Sequence, residues 1–213
     1  MDHRQGTGPD RVVLATRNAG KVRELQALLA PLGVGVLGLD AYPGIGDIPE
    51  TGETFLENAR IKARAVCAAT GLVSLADDSG LCVDALSGAP GVSSARFSGE
   101  GATDEANNAK LLAALAHVRQ ADRTCRFVSV VVAACPDGRE LATEGAWEGR
   151  VALTPAGEGG FGYDPLFFDP TAGKTAAELS PEEKNARSHR GQALAKLVAA
   201  WPGFWDGVEA GER

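Results

Sequence analysis

What this sequence lacks narrows its function before any motif is read. It has no apolar run long enough to cross a bilayer, which takes about 20 consecutive apolar residues. Its first ten residues, MDHRQGTGPD, are polar and hold no hydrophobic stretch of the secretory kind. Both absences point to a cytoplasmic protein with no membrane partner. Positive charge is not in excess: 21 Lys and Arg stand against 28 Asp and Glu, a formal net charge of −7. A nucleic-acid polymer rewards a broad basic face, so a polymer partner is not expected. A small anionic substrate in a locally basic pocket is compatible with this balance. Cysteine is scarce, and Cys67, Cys82, Cys125 and Cys135 form no CxxC pair. Each sits in an apolar segment, which reads as buried thiols rather than a disulfide framework or a zinc site. No GxGxxG follows the first strand and no GxxxxGK[ST] occurs, which argues against a Rossmann fold and a Walker loop.

The chain that remains, 213 residues and 44% hydrophobic, suffices for one domain with a sizeable core. We read a domain over 11–205, with tails at 1–10 and 206–213. Residues 11–16 read as a buried strand, and Asn18 opens a helix that Pro31 and Gly33 end. A second strand follows at 34–39. Thr54 and Glu57 fit a capping box at the start of the next helix, with Phe55, Ala59, Ala63 and Val66 as its core stripe. Strands are predicted at 72–77 and 81–84 around a Ser79-Gly80 turn, and a helix over 103–118. Two long strand-like runs split by Pro136-Asp137-Gly138 read as a hairpin. Ser180, Pro181 and Glu183 open a final helix running to about Ala200. Interleaved helices and strands with a long hairpin give an α/β fold built on a mixed sheet with flanking helices.

Five further features bear on chemistry. LADDSGLCVDAL, residues 75–86, runs two adjacent carboxylates out of a strand, with Ser79 next in line. Neighbouring strand side chains point to opposite faces, so Asp77 and Asp78 have different jobs. Carboxylates there can hold a hard cation or position a water; an ordinary Asp-rich turn is the plainer explanation. In LATRNAGKVREL, residues 14–25, the backbone N–H groups around Asn18, Ala19 and Gly20, with Lys21, make a helix-start anion site. Thr16 adds a donor and Arg17 adds charge; the alternative is that Asn18 only caps the helix and Lys21 is a solvated residue. In IPETGETFLENARIKA, residues 48–63, Glu50 has no local explanation and is preferred as a metal ligand. Asn58 and Lys62 share a helix face. In GGFGYDP, residues 159–165, glycines permit close approach, Phe161 can stack on a base, and Asp164 can accept from ring N–H groups. The alternative is a turn with Phe161 and Tyr163 in the core. In EEKNARSHRGQAL, residues 182–194, Lys184, Arg187 and Arg190 supply donors. Gly191 inside a helix, at about 1 kcal/mol against Ala, suggests close approach by a ligand or another backbone.

Taken in order, ETGETFLENARIKA, DDSGLCVDALSGAPGVSSARFSG, GGFGYDPLF and SHRGQAL resemble the inosine triphosphate pyrophosphatase family over about residues 11–200. That resemblance implies an elongated, two-lobed single domain with a central cleft holding the active site, a homodimer, and a Mg2+ requirement. It implies hydrolysis of ITP, dITP or XTP to the monophosphate and pyrophosphate, which clears nonstandard purines from the nucleotide pool. Residues 16–21 match its triphosphate-binding segment, Glu50 its metal-ligand glutamate, and Asp78 its catalytic, metal-linked aspartate. Lys62 matches its helix lysine, and Ser79 stands next to substrate; Asp78, together with Asp77, is expected to orient or deprotonate the attacking water. Phe161, Gly162, Tyr163, Asp164, Lys184, His189 and Arg190 match its base-recognition residues. Donors from His189 and Arg190 aimed at a 6-oxo group would accept hypoxanthine and face the 6-amino donor of adenine. Two other readings are a Maf-like pyrophosphatase acting on pyrimidine nucleotides, which shares the architecture, and a non-catalytic nucleotide sensor.

Overall fold

The structure is a computed structural model that describes residues 9–205. Most of the expected tails, residues 1–8 and 206–213, lies outside the described residues. The described strands form one mixed sheet of seven, in the order β2-β1-β3-β4-β5-β6-β7. They are β1 (Arg11–Leu14), β2 (Gly35–Leu37), β3 (Ser74–Val83), β4 (Thr124–Ala134), β5 (Glu140–Val151), β6 (Phe167–Asp169) and β7 (Lys174–Thr175). The helices are α1 (Ala19–Leu29), α2 (Phe55–Thr70), α3 (Asp104–Ala114), α4 (Pro181–Arg187) and α5 (His189–Trp205). β1 pairs in parallel with β2 and β3, while β5, β6 and β7 pair antiparallel.

The chain packs as two compact units. The first takes residues up to Asp78, Val130–Thr143, and Ala193 onward. Its strands are buried on both faces, as β-branched runs in a covered sheet should be. Val131 and Ala133 of β4, with Cys135 just past its end, join Leu25 and Leu29 of α1 and Leu194, Leu197 and Trp201 of α5 in one cluster. The alternate residues, Val130, Val132 and Ala134, join Ala59, Ala63 and Cys67 of α2 in another. Small residues at 59, 63, 76 and 134 let α2 lie close on the sheet. The capping box is formed: Thr54 Oγ1 accepts from Glu57 N–H at 3.2 Å and Glu57 Oε2 accepts from Thr54 N–H at 3.1 Å. Such a cap contributes about 1 kcal/mol.

The second unit takes Ser79–Ser129 and Glu144–Gln192. Its core gathers Leu81, Val83, Leu111, Leu115, Phe127, Trp147, Tyr163, Leu166 and Phe167. All four cysteines are thiols, three of them buried. Burial pushes Cys125 up to about 12 and Cys135 up to about 11, so neither is a thiolate at neutral pH.

Three local expectations are corrected. The predicted break at Ser79-Gly80 is absent, and β3 runs unbroken over 10 residues. Its neighbours β1 and β4, and its buried faces, outweigh the local turn preference of Ser and Gly. The predicted single C-terminal helix is two helices, broken where Ser188 turns extended at φ −64° and ψ 151°. Ser188 Oγ then accepts from Gly191 N–H at 3.0 Å and starts α5 afresh. The β6–β7 hairpin was not anticipated, because strands of three and two residues carry no periodic signal.

Candidate active site

Strand parity places the two central acids. Leu75 belongs to the cluster with α1, and Ala76 to the cluster with α2. Asp77 repeats the parity of Leu75 and meets α1: Lys21 Nζ lies 3.0 Å from both of its carboxylate oxygens. Asp78 repeats the parity of Ala76 and meets α2: Lys62 Nζ donates to its Oδ1 at 2.9 Å. The same ammonium donates to Glu50 Oε1 at 2.7 Å. Adjacent acids therefore hold separate lysines on opposite faces of one strand.

The Lys62 group is strongly coupled. Burial works to lower the lysine's pKa, but the charge of Asp78 and the hydrogen bonds to Glu50 and Asp78 outweigh it and raise it. For Asp78 the balance falls the other way. Burial raises its pKa, Lys62 opposes this, and the nearby Glu50 charge adds to the rise. An ion pair alone would lower a carboxylate; Asp78 is only 8% exposed, so burial prevails.

Asn58 joins this group, and the sequence reading did not assign it a role. It is fully buried, and its Oδ1 accepts from Gly52 N–H at 2.8 Å. Its Nδ2 makes no hydrogen bond of ordinary length, yet the amide stands near enough to Asp78 to favour the charged carboxylate. Gly52 is required there, since a Cβ would lie 2.6 Å from Glu57 Cβ and 2.8 Å from Asn58 Oδ1. The loop carrying Glu50 is thus pressed onto the start of α2. The available signal was the i, i+4 spacing of Asn58 and Lys62.

A divalent cation fits these donors. Glu50 and Asp78 already converge on one positive charge, and Asp78 Oδ2 is buried without a hydrogen bond. Among the described residues no group of three or more His, Cys, Asp or Glu assembles. Two carboxylates, with water and phosphate completing the shell, is the donor set a hard ion such as Mg2+ accepts.

The helix-start segment is more committed than expected. Asn18 Oδ1 accepts from Gly20 and Lys21 N–H at 2.8 and 3.2 Å, so the amide caps α1. A Cβ on Gly20 would approach that oxygen to 3.0 Å. Thr16 Oγ1 accepts from Asn18 N–H at 3.1 Å. Ala19 is the first residue of α1. Arg17 donates to Ile45 O at 2.5 Å and faces Asp47 at 3.6 Å, so its charge is directed to the 45–47 loop.

The second unit holds the remaining candidates. The Phe161 ring is 62% exposed, with Lys184 Nζ 5.0 Å and Arg190 Cζ 5.9 Å from its centroid. Asp164 Oδ2 accepts from Phe161 N–H at 2.8 Å and forms a close ion pair with Lys184. Arg190 donates to Ser79 Oγ at 3.3 Å. His189 is buried and stacked on Phe127, centroids 4.8 Å apart at 15°. Tyr163 stands apart from these: its ring is in the core and its hydroxyl donates to Ser94 O at 2.9 Å. Gly191 is explained by backbone, not ligand, because a Cβ there would sit 1.9 Å from Asn185 O.

A family model, the Ham1 family, matches residues 12–200. The chain belongs to the Ham1 family. Its relatives include a Nitratidesulfovibrio vulgaris protein named dITP/XTP pyrophosphatase, 59% identical over 202 residues, covering 92% of this chain and 98% of that one. A protein of the same name from Streptococcus mutans is 51% identical over 196 residues, which is 92% of this chain but 60% of that protein. Among solved structures, a HAM1 protein from Coxiella burnetii superposes with a TM-score of 0.85 at 46% identity, covering 89% of this chain and 97% of that one. The mixed sheet with flanking helices is thus the Ham1-family fold.

Proposed function

We propose that this Ham1-family chain hydrolyses the triphosphates of nonstandard purines, ITP, dITP and XTP, to monophosphate and pyrophosphate. The carrying observation is the Glu50–Lys62–Asp78 group, two carboxylates converging on one cation beside a second lysine–carboxylate pair. The relatives named dITP/XTP pyrophosphatase support the substrate class. The first cluster suits the anionic end of a nucleotide, and the second suits its base.

Glu50 and Asp78 would hold Mg2+, which supplies charge neutralisation at the phosphate oxygens. Asp78, with Asp77 near it in the chain, orients and deprotonates a water. The new bond forms between the water oxygen and the α-phosphorus, and the bond to the β-phosphate oxygen breaks. Lys21 and Lys62 bear on the oxygens of the leaving pyrophosphate, with the 16–20 segment at the start of α1. Little covalent chemistry falls to the protein; it positions groups and balances charge. Phe161 offers the base an exposed face. His189 and Arg190 donate to a 6-oxo group, with Lys184, Asp164 and Ser79 holding that surface. The protein works as a homodimer in the cytoplasm. No helix among the described residues is long and apolar enough to cross a membrane.

The test is pyrophosphate release from ITP, XTP, dITP, GTP, ATP and UTP, with Mg2+ and with chelator, beside Asp78→Asn. Release confined to the first three, abolished by chelator and by Asp78→Asn with the fold intact, is the expected result. Near-normal turnover in Asp78→Asn would remove the catalytic assignment. Preference for UTP would favour the Maf-like reading, and binding without release the sensor.

A further inference from the structure

None of the steps above uses α3, yet two of its side chains grip the loop that presents Phe161. Asp104 Oδ2 accepts from Gly162 N–H at 2.6 Å, and Asn108 Nδ2 donates to Gly162 O at 2.9 Å. Positions 104 and 108 are one turn apart and share a helix face. Both main-chain groups of one residue are therefore held by one helix. Gly162 needs that hold. Its φ is +63°, a left-handed conformation, and Gly160 two residues earlier is at +76°. Glycine backbones lose the most freedom on ordering, so such a loop keeps one shape only where something fixes it.

We propose that Asp104 and Asn108 are positioning residues for substrate recognition, holding residues 160–164 in the conformation that projects the Phe161 ring as a platform for the base. The Phe161 backbone is then fixed on both sides. Its own N–H goes to Asp164, and the following residue goes to α3. The ring itself stays exposed, so its aim depends on its backbone. The helix is a firm support. Leu111 is buried in the core, and neighbouring Asn107 accepts from Ser98 N–H at 2.8 Å and donates to Ala95 O at 3.1 Å. The bond to Asp104 is the stronger of the two, because its acceptor is a carboxylate.

This inference rests on reading Phe161 as the base platform, so the experiment separates the two. Asp104→Ala, Asp104→Asn and Asn108→Ala are compared by hydrogen exchange of the segment containing Gly162 and by steady-state kinetics on ITP. Glu105→Ala removes another acid from the same helix start and serves as the control. Asp104→Ala and Asn108→Ala should speed exchange at Gly162. Each should also raise KM for ITP by about three- to tenfold, the scale of one lost hydrogen bond, with kcat far less affected. Asp104→Asn, which keeps an acceptor, should recover most of the loss, and Glu105→Ala should change neither readout. In a Phe161→Ala background, Asp104→Ala should raise KM no further, since its action runs through that ring. Unchanged exchange, or a KM effect that persists without Phe161, would overturn the proposal. Faster exchange with an unchanged KM would overturn its functional part. If the wild-type protein released no pyrophosphate from any nucleotide, the reading of the site would fall and exchange alone would decide the clamp.

Discussion

Gly191→Ala should destabilise this protein, against the sign that helix propensity gives. An unhindered Gly-to-Ala change inside a helix gains about 1 kcal/mol. At position 191 a Cβ would stand 1.9 Å from Asn185 O and 3.2 Å from Ser188 Oγ. Contacts under 3.0 Å are essentially never seen, so α4 and α5 must separate by about 1.1 Å. Overpacking of this kind costs about 1–3 kcal/mol. The separation also strains the Ser188 cap on Gly191 N–H, at 3.0 Å, and a cap is worth about 1 kcal/mol. After the propensity gain, a net loss of about 2 kcal/mol is expected. Urea denaturation reads this as a midpoint lower by about 1 M, with an unchanged slope. Gly203→Ala, in the same helix with nothing within 4 Å of the new Cβ, should leave the midpoint equal or higher. Kinetics supply a second readout. α4 carries Lys184, which pairs with Asp164, so KM for ITP should rise in Gly191→Ala alone. Equal midpoints for the two variants would refute the backbone-contact account and return Gly191 to the ligand-approach alternative.

Two other perturbations have definite signs. Glu140 accepts from Arg64 at 2.5 Å and Arg60 at 3.1 Å, and these guanidiniums hold its carboxyl below the usual carboxylate range. A lowered folded-state pKa means stability that is present above the unfolded pKa and lost as pH falls through the folded one. Glu140→Gln should therefore cost about 0.5–1 kcal/mol at neutral pH, and the gap should close as pH falls through the lowered carboxyl pKa, below the usual carboxylate range; a gap that widened on acidification would contradict the ion-pair account. Arg190→Ala should narrow the kcat/KM ratio of ITP over ATP by about tenfold or more, because the 6-oxo group loses its donor; an unchanged ratio would mean that the 6-position is read elsewhere.

The site was legible wherever a rule of local geometry also governs the long-range partner. Alternation along a strand predicts different jobs for Asp77 and Asp78, and the structure gives each its own lysine. The capping boxes at Thr54 and Ser180 depend only on residues three apart, and both are formed. Where local chemistry and tertiary context disagree, the sequence misleads. Ser79-Gly80 reads as a turn, yet the sheet draws both into β3. Asn18 reads equally as a helix cap and as part of an anion site, and it caps α1; Arg17, read as added charge, reaches Ile45. Asn58, Asp104 and Asn108 were assigned no role in the site for a different reason. Each acts on a backbone group supplied by another segment, Gly52 for Asn58 and Gly162 for the α3 pair. A hydrogen bond to a main-chain N–H or C=O leaves no trace in the identity of its partner, since every residue except proline carries both. Motifs therefore expose the groups that touch a substrate better than the groups that hold those in place. In this fold the second kind gathers on glycines: at Gly52 a Cβ would collide with Glu57 and Asn58, and at Gly162 the φ of +63° is a left-handed conformation that glycine adopts freely.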